Sequence, residues 1–482
     1  MITAALLASA CLMGPEYERP ELPEAEEYRA STTEGESIAN LPWWEIYEDE
    51  TLRELIAEAL ENNNDLRASL ARIAEARAVV GVAASELYPQ LGVGAAGGLG
   101  ARSSDGGPSD STGDVALIGS AFYQVDLWGR IRRGKEAAVR SMLATEESYR
   151  TVTISIVAAV ARSYFVLRDL DNRLEVSRRT AETRRESLEA MQVRFDAGAI
   201  SEVDLNQAQI QFARAEGTVQ SLVRAVEQAE NGISVLLGRV PTEIPRGGSL
   251  YDQVALPAVP AGLPSELLER RPDVLGAELR LAAQTSRIGV AEASRFPSLD
   301  LTAALGAQTA QLTDMSVTNS FIDVGFDVFA PLFTGGLLKS NVDIERARTE
   351  ALAADYEQTV LVAFREVEDA LIAVQTFREE YLAAQREVAA ASNAVDIAWI
   401  RYEDGLTSFL EYLQVERDLF NAELRRSQIY QGQLNSVVDL YEALGGGWSV
   451  VEDEEEEAGE EESGADEDAA AEEPAGDDEG GD

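Results

Sequence analysis

The residue types that ordinarily carry chemistry are almost missing from this chain. It has no histidine and one cysteine, Cys11. The commonest general base and metal ligand is therefore gone, and neither a disulfide framework nor a cysteine zinc site can be built. No nucleophile elbow and no Gly-Lys-Ser/Thr phosphate loop occurs, which leaves an enzyme without its usual actors. The one reactive group in a recognisable setting is Cys11 itself. Leu7-Ala8-Ser9-Ala10 precedes it, an apolar run closing in small residues, as where a signal peptide is cleaved to expose a cysteine for acylation. Residues 1–10 then read as a partial signal peptide, although a basic start is missing and the leucine stands four places before the cysteine. The expected modification is a covalent lipid on Cys11, with no catalytic residues, no other cofactor and no metal; an unmodified buried thiol is the competing reading.

Charge narrows the partners. Lys plus Arg total 40 against 86 Asp plus Glu, a net charge of −46, the reverse of the basic footprint a nucleic-acid partner requires. The imbalance peaks in residues 452–482, which hold 18 acidic and no basic residues. Such a segment has too little apolar surface to offset chain entropy, so 449–482 reads as an acidic disordered tail. The whole chain, tail included, is 45% apolar and 26% charged, a globular composition. No run of about 20 apolar residues appears, so no transmembrane helix is expected.

The elements that must position any site come in two copies. Residues 64–94 align with 272–302 at an offset of 208, matching Asp65 with Asp273, Gly81 with Gly289, Pro89 with Pro297 and Leu91 with Leu299. One residue shorter, the same register matches Tyr149 with Tyr356, Arg194 to Gly198 with Arg401 to Gly405, and Ser201 with Ser408. The chain reads as a tandem repeat, 49–260 and 261–448, preceded by an extended strap over 11–48 whose Pro15, Pro20 and Pro23 hold it straight.

Each half runs helix, strand pair, very long helix, turn, long helix. Val360, Phe364, Val367, Leu371, Val374, Tyr381, Val388, Val395, Trp399 and Tyr402 fill ten of thirteen positions spaced alternately four and three apart, with breaks at Arg378, Gln385 and Ser392, a sustained heptad seam. Long helices are expected over about 130–237 and 335–443, broken by turns at Gly198 and Gly405; a 65-residue helix would reach roughly 100 Å. Arg194 and Arg401, each four residues before a turn glycine, are placed to meet neighbouring acids or last-turn carbonyls. Between the helices the period changes to two. Ile322, Val324, Phe326 and Val328 alternate with Asp323, Gly325 and Asp327, and Leu299, Leu301 and Leu305 with Asp300, Thr302 and Gly306. Strand pairs are expected over about 88–127 and 296–333, with polar tips at Ser103 to Pro108 and around Thr313-Asp314.

Ten-residue strands with one apolar and one polar face fit a membrane β-barrel or a soluble hairpin packed on helices. In a membrane, open edges are not tolerated, and four strands cannot close a barrel. A membrane reading therefore demands several copies, of which a cyclic homo-oligomer is the simplest. A periplasmic coiled-coil scaffold without a pore would keep the heptads and leave the strands unexplained.

The assembled motifs resemble the TolC family of bacterial outer-membrane factors, above all its lipoprotein branch (OprM-like, or NodT family). They are Cys11 with Gly14-Pro15-Glu16-Tyr17-Glu18-Arg19-Pro20, Trp43-Trp44, Glu61 to Leu66, Tyr88-Pro89, Asp126-Leu127-Trp128-Gly129-Arg130, Gly262 to Ser265 with Arg270-Arg271-Pro272-Asp273, Phe296-Pro297-Ser298, Phe333-Thr334-Gly335-Gly336, and Tyr441 to Trp448. The resemblance covers Cys11 to Trp448. It implies an α+β membrane protein: a homotrimer with four strands per protomer, twelve in one transmembrane β-barrel, and long helices in a periplasmic α-barrel. It further implies a lipid-anchored outer-membrane channel of a tripartite efflux system, docked on a periplasmic adaptor and an inner-membrane resistance-nodulation-division pump. A channel for type I protein secretion or metal efflux would share the pattern. By the same resemblance Gly198, Ser201, Gly405 and Ser408 lie in adaptor-contacting turns, and Asp204, Tyr402, Leu410, Glu411 and Gln414 fall on gate positions. Here the chain departs from the family: Gln414 stands where an aspartate ring is common, and the acid is Glu411, one helical turn earlier on the same face.

Overall fold

The computed structural model describes residues 12–21, 28, 42, 46, 47, 49–102, 110–253, 264–309 and 318–446. Cys11, Trp43, Trp44, the tips at Ser103 to Pro108 and Thr313-Asp314, Gly262 and the tail beyond Gly446 lie outside them. Eight helices and four strands follow in order among the described residues: α1 (Glu50–Asn62), α2 (Asn64–Ser85), β1 (Gln90–Arg102), β2 (Asp110–Val125), α3 (Arg130–Asp196), α4 (Glu202–Leu236), α5 (Pro264–Arg270), α6 (Pro272–Ala293), β3 (Ser298–Thr309), β4 (Thr318–Phe329), α7 (Leu337–Glu403) and α8 (Phe409–Ala443). Three pairs of corresponding helices match in length, α2 and α6 with 22 residues, α3 and α7 with 67, and α4 and α8 with 35, whereas α1 has 13 residues and α5 has 7.

The strands form one antiparallel sheet in the order β1-β2-β3-β4. The sequence pattern predicts two strand pairs; β2 joins them by pairing with β3 from Val115↔Thr309 to Val125↔Leu299. Register settles the faces. Gln124, Asp300 and Asp327 stand side by side across three strands, as do Val125, Leu299 and Val328, so polar and apolar residues segregate to opposite sides. Ile322, Val324 and Phe326 on the apolar side are 83%, 79% and 72% exposed. Among the described residues the outer edges of β1 and β4 have no partner.

Two compact units emerge, and each takes segments from both halves of the sequence. The first comprises Met1–Pro23, Ser69–Tyr149 and Asp273–Val360. Besides the sheet it holds the described start of the strap, residues 12–21, which is fastened at two points. The Met13 N–H donates to the Trp128 carbonyl at 3.1 Å, and Arg133 Nε donates to the Met13 carbonyl at 3.3 Å. Further on, the Tyr17 hydroxyl donates to Glu278 Oε1 at 3.2 Å and Arg19 donates twice to Glu278 Oε2. Between these points Gly14, at φ 91°, crosses Gly289 so closely that a Cβ on Gly14 would lie 2.4 Å from the Gly289 Cα. Its repeat counterpart Gly81 has open space around it.

The second unit comprises Glu24–Ala68, Arg150–Pro272 and Leu361–Asp482. Within it Asp49 gathers several segments: it caps α1 by accepting from the Leu52 N–H at 3.2 Å and also takes the Tyr164 hydroxyl at 3.0 Å and Gln253 Nε2 at 2.6 Å. Leu52, Ile56, Tyr164 and Leu167 are wholly buried around it. One 18-residue stretch of α3 is apolar enough by length and composition to cross a membrane, which the sequence reading did not anticipate. Half of that stretch is buried inside the protein, as in a packed core helix.

Candidate functional site

The site implied for gating is built at the second unit's helix turns, α3 to α4 and α7 to α8. Both turns use the same backbone device. Gly198 and Gly405 each adopt φ 72°, the left-handed region that costs a side chain about 1–2 kcal/mol. The Gly198 N–H donates to the Phe195 carbonyl at 2.8 Å and the Ala199 N–H to the Arg194 carbonyl at 2.9 Å; Gly405 and Leu406 repeat this to Tyr402 and Arg401 at 3.0 and 2.8 Å. These paired bonds close the helix carbonyl ends in the Schellman pattern.

The next helices are capped alike and then diverge. The Ser201 and Ser408 hydroxyls accept from the Asp204 and Glu411 N–H groups, each at 3.3 Å. Asp204 returns the contact, accepting from the Ser201 N–H at 3.3 Å and its hydroxyl at 2.8 Å, which completes a capping box. Glu411 instead accepts from the Thr407 hydroxyl. The position of Thr407 is held in the first half by Ile200, which packs on the neighbouring hydrophobic cluster. Two differences between the repeats, Ile200 for Thr407 and Asp204 for Glu411, accompany the two arrangements: Asp204 closes the cap and Glu411 is exposed beside Thr407.

Beneath the turns Met191, Leu205, Ala398, Phe409, Tyr412 and Leu413 are buried together, flanked by Trp399 and Tyr402. Trp399 meets Tyr412 at 5.1 Å and Tyr402 meets Phe409 at 5.3 Å between ring centroids. Arg194 does not seek an acid or a carbonyl: its Nη1 donates to the Tyr402 hydroxyl at 3.3 Å and its guanidinium lies 5.7 Å from that ring's centre. Tyr402 is thereby half-buried and held, whereas Leu410, Glu411 and Gln414 are exposed. The structure therefore brings Glu411 and Gln414 out on one face of α8 beside Leu410, and separates them from Tyr402.

One functional arrangement escaped the sequence reading. Arg184 on α3 and Glu416 on α8 form an ion pair at 3.2 Å with side chains only 6% and 11% exposed. Burial outweighs the guanidinium and holds the Glu416 carboxyl above its ordinary value, while burial and Glu416 together push the Tyr412 phenol up to about 12. The pattern Ser-x-x-Asp/Glu at 201–204 and 408–411 was a readable capping signal; the ion pair left none, because its members are 232 residues apart.

Comparison with known proteins bears on what such turns serve. The profile of the family described as outer membrane efflux protein matches residues 55–239 and again 263–446. The chain is 34% identical to the solvent efflux pump outer membrane protein SrpC of Pseudomonas putida, over 93% of this chain and 98% of that one. It is 34% identical to the outer membrane protein OprJ of Pseudomonas aeruginosa, over 92% and 94%. Its fold superposes on the open-state crystal structure of the Neisseria gonorrhoeae MtrE outer membrane channel with a TM-score of 0.82 and 30% identity, covering 91% of this chain and 99% of that one. Two profile matches in tandem, full-length relatives and a shared fold together establish that the chain belongs to the outer membrane efflux protein family, whose members are outer-membrane channels of efflux systems rather than enzymes.

Proposed function

We propose that three copies of this chain assemble into one outer-membrane channel, with twelve strands closing a β-barrel and twelve helices forming a periplasmic tunnel. Drugs or other small molecules pass outward through it, delivered by an inner-membrane resistance-nodulation-division pump through a periplasmic adaptor. The observation that carries the reading is the four-stranded sheet with two unpartnered edges among the described residues and an exposed apolar face. An open edge in hydrocarbon leaves backbone groups unpaired at several kcal/mol each, so the edges of neighbouring copies must meet. The names of SrpC and its kin, which associate them with solvent efflux pumps, support small molecules as cargo.

In this reading the adaptor meets the turns at Gly198, Ser201, Gly405 and Ser408. Threefold symmetry brings Leu410, Glu411 and Gln414 towards the axis, with Asp204 and Tyr402 behind them as supports. Three Glu411 carboxylates make a negative constriction that favours cations. Cys11 carries covalent lipid that tethers the chain to the outer membrane. Reconstitution into planar bilayers is the test. Discrete, cation-preferring conductance steps are expected, and protein that inserts without conducting contradicts the channel.

A further inference from the structure

At the foot of the sheet, within the first unit, lies a cavity of about 330 Å³ between the ends of β2, β3 and β4 and the starts of α3 and α7. Its apolar wall includes Trp128 and Phe296, stacked at 4.8 Å, with Phe329, Pro331 and Leu338. The Trp128 indole is fixed by donating to the Pro297 carbonyl at 2.8 Å, so the aromatic wall is preformed. Of the strand residues that line it, Gln124, Ser298 and Phe329 share the sheet's polar face, because Gln124 pairs with Asp300 and Ser298 with Phe329, while Val125 at the end of β2 belongs to the apolar face.

Charge is unbalanced among the residues that line or adjoin the cavity. Arg130 is engaged by Glu86 and Gln124, and both Asp126 oxygens are taken by Arg132 and the N–H groups that open α3. Asp300 and Asp327, in contrast, oppose each other directly across β3 and β4. Like charges so placed cost a sheet stability, and Asp300 has one buried oxygen, Oδ1, with no hydrogen-bond partner. Its other oxygen accepts only the Ser298 hydroxyl at 3.2 Å, and Ser298 is itself a cavity residue.

We infer that this cavity is a binding site in the channel wall for amphipathic molecules with a flat aromatic body and a cationic amine. The ring lies against Trp128, Phe296 and Phe329, and the ammonium is drawn to the Asp300 and Asp327 pair on the same face. The inference rests on the channel reading, since it takes the polar face as the lumen.

The test uses the full chain in lipid nanodiscs, with dansylcadaverine as the aromatic amine and its N-acetylated derivative as the neutral control. The same preparation is assayed for conductance in planar bilayers. Saturable binding above that of empty nanodiscs is expected. In D300N/D327N the amine binds about tenfold more weakly while the acetylated probe is unaffected. Relieving the like-charge pair favours the sheet, so this variant should fold. L338W, which fills the cavity, loses both probes. Conducting wild type without saturable binding overturns the site alone, as does D300N/D327N that holds the amine as tightly as wild type. Saturable binding by protein that does not conduct overturns the channel reading and leaves the site.

Discussion

Arg184 donates to Glu416 at 3.2 Å with both side chains almost wholly buried, whereas other ion pairs between α3 and α8, Arg179 with Glu423 and Arg162 with Asp439 and Glu442, are more exposed. The guanidinium also reaches the Gln211 carbonyl of α4 at 3.4 Å and lies 5.5 Å from the centre of the Phe420 ring. Removing one member leaves a buried charge uncompensated, at a cost of about 3–5 kcal/mol, whereas replacing both by apolar groups is close to neutral. Glu416→Leu and Arg184→Met should each lower the thermal midpoint strongly, and the double variant should recover most of the loss. A double variant no more stable than either single one would contradict the coupling.

The same carboxyl makes stability depend on pH in a defined direction. Its pKa is raised in the fold above the ordinary 4.5, so the folded state holds that proton more tightly than the unfolded chain does. The contribution is present below 4.5 and is lost as pH rises through the folded value. The stability of wild type relative to Glu416→Gln should therefore fall as pH rises from about 4.5 through the folded value, read from denaturant midpoints along that rise. A difference that rises over this window would reverse the assignment.

The duplicated glycines should respond oppositely to one substitution. Gly289→Ala places a Cβ 2.6 Å from the Met13 carbonyl and should free the strap, seen as faster amide exchange over residues 12–21. Gly81→Ala meets open space in the equivalent helix and should stabilise it by about 0.5–1 kcal/mol. Equal effects at the two positions would count against the strap contact as their difference.

At the turns, Gly405→Ala should cost about 1–2 kcal/mol through backbone strain alone, since nothing lies within 4 Å of the added carbon. Gly405→Asn should recover part of it. An alanine variant melting with wild type would remove the left-handed requirement.

Asp204 and Glu411 occupy equivalent places and should part company in function. Ser201→Ala should cost about 1 kcal/mol as a lost cap, and Asp204→Ala should weaken the same cap with little effect on conductance. Glu411→Ala should leave the melting curve nearly unchanged and alter conductance or cation block. Unchanged conductance, selectivity and block would take Glu411 out of the gate.

What could be read from the sequence was what is local and repeated. The heptad seam from Val360 to Tyr402 and the glycines at 198 and 405 mark α7 and both turns, because helix periodicity and a left-handed break are written within a few residues. The alternation around Asp300 and Asp327 marks the strands. What was not legible lies between distant segments. The β2 to β3 pairing joins the two halves, Tyr17 and Arg19 reach Glu278 about 260 residues away, and Arg184 finds Glu416 across the bundle. Each member of those contacts looks like an ordinary polar residue until the partner is in place. At the candidate gate, residue positions followed from resemblance, but the contacts that part Asp204 from Glu411, a closed capping box in one and a bond to Thr407 in the other, are visible only once their side chains are placed.

The account depends above all on several chains sharing one barrel. Native mass spectrometry of the protein extracted from outer membranes in mild detergent tests this most directly. The account predicts a complex of three chains, each beginning at Cys11 and carrying added acyl mass. Three chains without acyl mass would remove only the lipid, whereas a monomer would contradict the channel, because four strands with open edges cannot close.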